Sequence, residues 1–132
     1  MKYLLDTNIC IYLIKQKPHS VLEKFKTLQV GDVGISSVTL AELSYGVEKS
    51  QYVEKNKSAL ENFLLPLELM SFDKEATDFY GKIRVFLEKK GATIGPLDYM
   101  IAAHALSLDV TLVTNNTKEF LHVPHLKLEN WV

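Results

Sequence analysis

Apolar residues along the chain switch between a period of two and a period near 3.6, and each switch marks an element. Lys2 to Leu5 reads as a short buried strand ending at Asp6. Asn8 to Lys15 reads as a helix broken near Pro18, and Ser20 to Leu28 as a second, with Val21, Leu22, Phe25 and Leu28 at helical spacing. Gly31-Asp32 is turn-like and precedes a strand, Val33 to Ser36. Helices follow over Ser37 to Lys49 and Lys55 to Leu65. Leu67 to Phe72 alternates as a strand. Asp73 caps a long helix that runs to Lys90 and stops at Gly91; Pro96 opens another that reaches Leu108. Val110 to Thr114 is a strand, Thr117 to Phe120 a helical turn, and Leu126 to Leu128 a last, edge-like strand.

Strands that alternate with helices predict the α/β class, with a central, mostly parallel sheet covered by helices on both faces. No repeat, low-complexity segment or Gly/Ser linker interrupts residues 1–132, which read as one domain. Ligands of such sheets sit beyond the carboxyl ends of the strands. Asp6, Ser36 and Thr114 each close a strand, so all fall on that rim.

Composition narrows the chemistry. The chain is 47% hydrophobic and 23% charged, with a net charge of -1. This is not a polybasic nucleic-acid binder; contact with nucleic acid would need a local patch or metal ions. Arg84 is the only arginine. Cys10 is the only cysteine, which excludes an internal disulfide and a multi-cysteine zinc site and fits a cytoplasmic location. Asp6 and Asn8 interrupt the N-terminal apolar run, against a signal peptide. The most apolar helical stretch, Tyr99 to Leu108, is too short to span a membrane.

Several acids sit among apolar neighbours, and each has a structural and a chemical reading. Asp6 stands where a helix N-cap is expected. Glu42 shares a helical stripe with Val38, Thr39, Tyr45 and Gly46, so it does not lie on a fully solvated face. Thr39 and Glu42 also have capping-box spacing. Asp98 opens a helix that is apolar around almost its whole circumference. The helix dipole favours an acid there by roughly 0.3–1 kcal/mol, yet no Lys or Arg lies within a turn to offset desolvation. Asn116 and Glu119 again have capping-box spacing. Gathered on one rim, these acids would raise one another's pKa values. Divalent cations resolve such a cluster, and oxygen-only ligands select Mg²⁺ or Mn²⁺ over zinc or copper.

Other chemistries are excluded by their motifs. D-T-N at residues 6–8 lacks the second acid of the D-x-D phosphatases. No G-x-G-x-x-G, P-loop or H-E-x-x-H is present. His19, His122 and His125 are scattered, and His104 reads as a packed core histidine.

The segments LLDTN, ISSVTLAELSYG, GPLDYMIAAHAL and LVTNNTKEF, in that order, resemble the PIN-domain ribonucleases, and more narrowly the VapC toxins of toxin–antitoxin pairs. The resemblance spans nearly the whole chain. It implies a PIN fold and an Mg²⁺- or Mn²⁺-dependent endoribonuclease. Asp6, Glu42 and Asp98 become the metal-binding acids, with Glu119 as a fourth catalytic acid. Relatives often carry an aspartate near the position of Asn116, so Glu119 would substitute for it. Thr7, Asn8, Thr114 and Asn116 become supporting groups around the ligands. The resemblance further implies structured RNA as substrate, with transfer RNA as a candidate, a homodimer, and a VapB-type antitoxin that blocks the site. Lys15, Lys17, Lys82, Lys89 and Lys90 are candidates for holding the RNA backbone. The alternatives are a metal-dependent nuclease acting on DNA or in RNA processing, and a non-catalytic partner-binding module with a vestigial site.

Overall fold

The structure, a computed structural model, describes residues 1–132. Its strands are β1 (Tyr3–Leu5), β2 (Val33–Ser36), β3 (Glu68–Met70), β4 (Thr111–Val113) and β5 (Leu128–Glu129). They form one sheet in the order β3-β2-β1-β4-β5, and every neighbouring pair is parallel. The helices are α1 (Thr7–Lys15), α2 (His19–Lys26), α3 (Ser37–Glu48), α4 (Val53–Leu64), α5 (Lys74–Lys90), α6 (Pro96–Leu108) and α7 (Thr117–Phe120).

Successive strand residues point to opposite faces, and the two cores separate accordingly. Leu4 pairs in register with Leu112, and both belong to a core completed by Ile83 and Leu87 of α5 and Ile101 and Ala102 of α6. Leu5 pairs with Val113. Both join Val33 and Ile35 in a second core with Ile9 and Leu13 of α1, Val21 of α2, Leu43 of α3 and Leu60 of α4. Helices therefore cover both faces, as the alternation of elements predicts. The β1 strand is buried on both sides, which explains its unbroken apolar run.

Strand order fixes where a site can form. From β1 the chain steps to β2 and then β3, and returns across β1 to β4 and β5. Direction reverses between β1 and β4. The carboxyl ends of those strands thus flank the topological switch point, where open parallel sheets bind their ligands.

Most element boundaries match the sequence within a residue or two. Asp73 caps α5 by accepting the Ala76 N–H at 3.1 Å. Gly91 ends the helix with φ of +74°, a conformation that suits glycine. β1, β3, β4 and β5 are each shorter than expected, β3 and β5 with a visible cause. β3 stops at Met70, and the Phe72 N–H donates instead to Ser37 Oγ at 3.0 Å. β5 begins at Leu128 rather than Leu126: it is an edge strand, and its bridge partners in β4 are only Leu112 and Val113.

A buried hydrogen bond sets the relation of two helices. His104 of α6 is 1% exposed, and its Nδ1 lies 2.7 Å from Ser36 Oγ at the end of β2. Ser36 also caps α3 by accepting the Val38 N–H at 3.0 Å. Ser36 Oγ and His104 Nδ1 share one hydrogen bond, whose donor follows the His104 tautomer. Burial lowers the His104 pKa, partly offset by the Asp73 charge and a hydrogen bond to the Ser71 backbone. A neutral His104 is a packed strut, as its apolar surroundings in the sequence suggest.

Gly34 shows how tightly β2 is enclosed. A Cβ there would run into Met1 Sδ and lie 2.8 Å from the Glu68 carbonyl oxygen of β3. Gly34→Ala is expected to destabilise the fold by about 1–3 kcal/mol, the usual cost of overpacking a closed site. Urea unfolding of both proteins measures it; an unchanged midpoint would show that β3 can move aside.

Candidate active site

Asp6 leaves β1 and caps α1. Its Oδ1 accepts the Ile9 N–H at 2.9 Å, so the capping reading holds. Capping does not use up the carboxylate. Asp6 is 7% exposed, and it also accepts hydrogen bonds from the Thr114 hydroxyl and the Asn8 backbone N–H. Thr114, at the end of β4, accepts the Asn116 N–H at 2.9 Å. The two strands flanking the switch point are thus stitched through one acid. Burial nevertheless raises the Asp6 pKa; the bonds from Thr114 and Ile9 oppose that, and the Glu42 charge adds to it.

Glu42 is reached from the neighbouring helix. Thr7 Oγ1 donates to its Oε1 at 2.7 Å, across 35 residues of chain. The capping-box reading of Glu42 fails, because the N-cap of α3 is Ser36 and Thr39 lies inside the helix. Thr39 is fully buried and its Oγ1 has no partner. Asn116 precedes α7 but makes no side-chain cap bond; Glu119 instead donates its backbone N–H to the Asn116 carbonyl at 3.1 Å. The capping-box reading of Glu119 therefore fails as well.

Asp98 lies in the first turn of α6, after the capping position of Gly95. Its pKa is pushed up to about 6. Burial is the largest cause, followed by the charges of Glu119, Glu42 and Asp6. The charges of three candidate acids thus reach the fourth, although the acids come from the end of β1 and from α3, α6 and α7. No cation answers them. The ion pairs of the fold are His19–Glu23, Lys24–Glu129, Lys74–Asp78, Arg84–Glu88 and Lys127–Asp109, none of which includes a crevice acid.

This donor set fits a hard divalent ion: it supplies oxygen only, lacks thiolate or imidazole, and carries uncompensated charge. The acids are not drawn together into a ready-made cage of three ligands. Mg²⁺ does not demand one, because it keeps several waters and takes only one or two carboxylates.

The remaining sequence candidates separate by what they touch. Thr7 and Thr114 hold acids directly with their hydroxyls. Asn8 and Asn116 act through backbone N–H groups, and their side chains are exposed. One neighbour escaped the sequence reading. Asn115 Nδ2 donates to the Tyr12 hydroxyl at 2.8 Å, and its Oδ1 is buried without a partner. The doubled Asn115-Asn116 after a strand was the available signal, but only the fold brings Tyr12 of α1 beside it.

Fold and crevice together define a class: a parallel α/β domain with an uncompensated acid cluster at its switch point. The PIN domain pattern matches residues 3–126. Ribonuclease VapC2 of Rickettsia felis is 48% identical over 132 residues, covering 99% of this chain and 98% of the relative. The tRNA(fMet)-specific endonuclease VapC of Shigella flexneri is 48% identical over 131 residues, with the same coverage. The crystal structure of VapBC2 from Rickettsia felis, bound to a DNA fragment from its promoter, contains a chain that superposes with a TM-score of 0.94 at 47% identity, covering 100% of both chains. The chain belongs to the PIN domain family and, within it, to the VapC ribonucleases. Divalent-metal dependence is general among PIN-domain nucleases.

The charge cluster has a measurable consequence. The folded Asp98 binds its proton more tightly than the unfolded chain does, with a pKa raised from 3.8 to about 6. Such a group contributes stability below pH 4 that is lost as pH rises toward and through 6. The raised Asp6 acts in the same direction. In metal-free buffer, Asp98→Asn is therefore expected to melt at or above the wild-type temperature at pH 7, with its advantage shrinking toward pH 4. Melting curves across that range check it. A strong destabilisation at pH 7 would make Asp98 a structural hydrogen-bonding residue instead.

Proposed function

We propose that the chain is the toxin of a toxin–antitoxin pair: an Mg²⁺- or Mn²⁺-dependent endoribonuclease that cuts structured RNA and thereby inhibits translation. What supports this reading is that the charges of Glu119, Glu42 and Asp6 all act on Asp98 while no cation pairs with any of the four. The identity of 48% to a tRNA(fMet)-specific endonuclease makes tRNA(fMet) the candidate substrate. No helix is long and apolar enough to cross a membrane, and the cytoplasm is the proposed place of action.

Asp6, Glu42 and Asp98 would hold the ion, which when bound supplies charge neutralisation at the phosphodiester and lowers the pKa of water. Thr114, Ile9 and Asn8 fix Asp6 by their hydrogen bonds, so its orientation is set before substrate arrives. Thr7 ties down one oxygen of Glu42 and leaves the other free. Glu119 completes the acid set and orients water for in-line attack on phosphorus. The attacking oxygen forms its bond as the bond to the 3′ oxygen breaks, leaving a 5′-phosphate and a 3′-hydroxyl.

The proposed inhibitor is a VapB-type antitoxin that presents a cation to the acids. An arginine fork pairs with two carboxylate oxygens at once and would fill the space that ion or phosphate needs. A second copy of the chain is also proposed as a partner; the neighbouring Val85 and Phe86 of α5, exposed by 50% and 45%, support self-association.

Asp6→Asn and Asp98→Asn are expected to abolish cleavage of tRNA(fMet) while retaining the wild-type circular dichroism spectrum. Glu119→Gln is expected to lose activity clearly. A gel assay with Mg²⁺ or Mn²⁺ measures all three, and near wild-type cleavage by the aspartate variants would refute the assignment. The ion should also raise the melting temperature. A tenfold excess over Kd stabilises by about 1.4 kcal/mol, a shift of roughly 2–5 °C for a domain of this size, and Asp98→Asn should lose most of it.

Co-purified toxin–antitoxin complex is expected to leave RNA intact until the antitoxin is stripped. Cleavage by the intact complex as fast as by free toxin would exclude blockade of the acids.

A further inference from the structure

Beside the acids, α1, α3 and α4 enclose a groove of about 450 Å³. Ile14, Leu43 and Leu60 line it, together with Glu42, Lys49 and Lys15. One of the crevice acids therefore belongs to its wall. On α3, residues 42, 45 and 49 fall on a single stripe, at helical offsets of three and seven. Tyr45 is 66% exposed, and Lys49 Nζ sits 4.9 Å from the centroid of its ring. Neither Lys15 nor Lys49 is in an ion pair with any acid of the fold.

We propose that Tyr45, Lys49 and Lys15 bind the single-stranded RNA segment that flanks the scissile phosphate. Tyr45 stacks on a base, and the two lysines hold adjoining backbone phosphates. This rests on the ribonuclease reading and adds a binding surface to it. Aromatic rings interleaved with cations are how single-stranded nucleic acids are held, because every base has a π-face and every linkage a negative charge. The stripe supplies both beside Glu42. It also solves a problem that the acids create, since their charge repels a polyanion and an unpaired lysine on each side of the groove counters it.

Cleavage and binding of tRNA(fMet) are measured for wild type, Tyr45→Ala, Tyr45→Phe, Lys49→Ala and Lys15→Ala, all freed of antitoxin. Binding is followed by fluorescence anisotropy of a labelled transcript in the Asp98→Asn background, with Mg²⁺ present. Tyr45→Ala is expected to raise KM and Kd about tenfold, the size of one lost base stack, with little change in kcat. Tyr45→Phe keeps the ring and should restore wild-type values. Each lysine variant should flatten the plot of log Kd against log salt by about 0.7, one phosphate contact on a single strand. If wild type cleaves and Tyr45→Ala matches it in KM and Kd, the stacking contact is overturned while the ribonuclease reading stands. If Tyr45→Ala weakens only the association with co-expressed antitoxin, the stripe belongs to the protein partner and the proposal fails. If wild type neither binds nor cleaves the RNA, both readings fall.

Discussion

Mutual repulsion of carboxylates at the end of β1 is the constraint around which this fold is arranged. Burial, and after it the charges of Glu119, Glu42 and Asp6, shift Asp98 upward, yet no lysine or arginine pairs with these acids. Bringing like charges into a partly dehydrated crevice costs stability. Other features of the chain hold that arrangement in place.

Hydrogen bonds do the holding, and they connect distant parts of the sequence. Thr114 reaches Asp6 from β4, and Thr7 reaches Glu42 from α1. Backbone N–H groups at the start of α1 add donors to Asp6, where the helix terminus already favours an acid. Deeper in the fold, the Ser36–His104 bond joins the capping residue of α3 to the middle of α6. Those helices carry Glu42 and Asp98. A fully buried polar contact therefore helps fix the spacing of two acids that do not touch it. Thr39 Oγ1 is buried without a hydrogen-bond partner on the same helix.

The two cores make the crevice rigid from below. Leu4 and Leu112 face one set of helices, and Leu5 and Val113 the other. A one-residue slip of β1 would turn each side chain to the wrong face. The register that buries leucine thus also delivers Asp6 to the rim. Packing and site geometry are set by the same strand pairing.

Much of this was legible in the residues. Periodicity located the strands and helices, because burial imposes a period of two or 3.6 on the chain. Asp73, Gly91 and Pro96 announced helix ends through local backbone chemistry. Asp6 and Asp98 stood out as charges in apolar surroundings, and the order of motifs pointed to the family. Other features depended on contacts between residues far apart in sequence. Spacing alone gave Glu42 and Glu119 a capping role, which Ser36 and the geometry of α7 overrule. Nothing local pairs Thr7 with Glu42, Asn115 with Tyr12, or His104 with Ser36. The strand order, and with it the switch point, is likewise a long-range choice. A sequence records which side chains need burial, a cap or a counter-charge; which distant partner meets that need is decided only when the sheet closes and the helices pack.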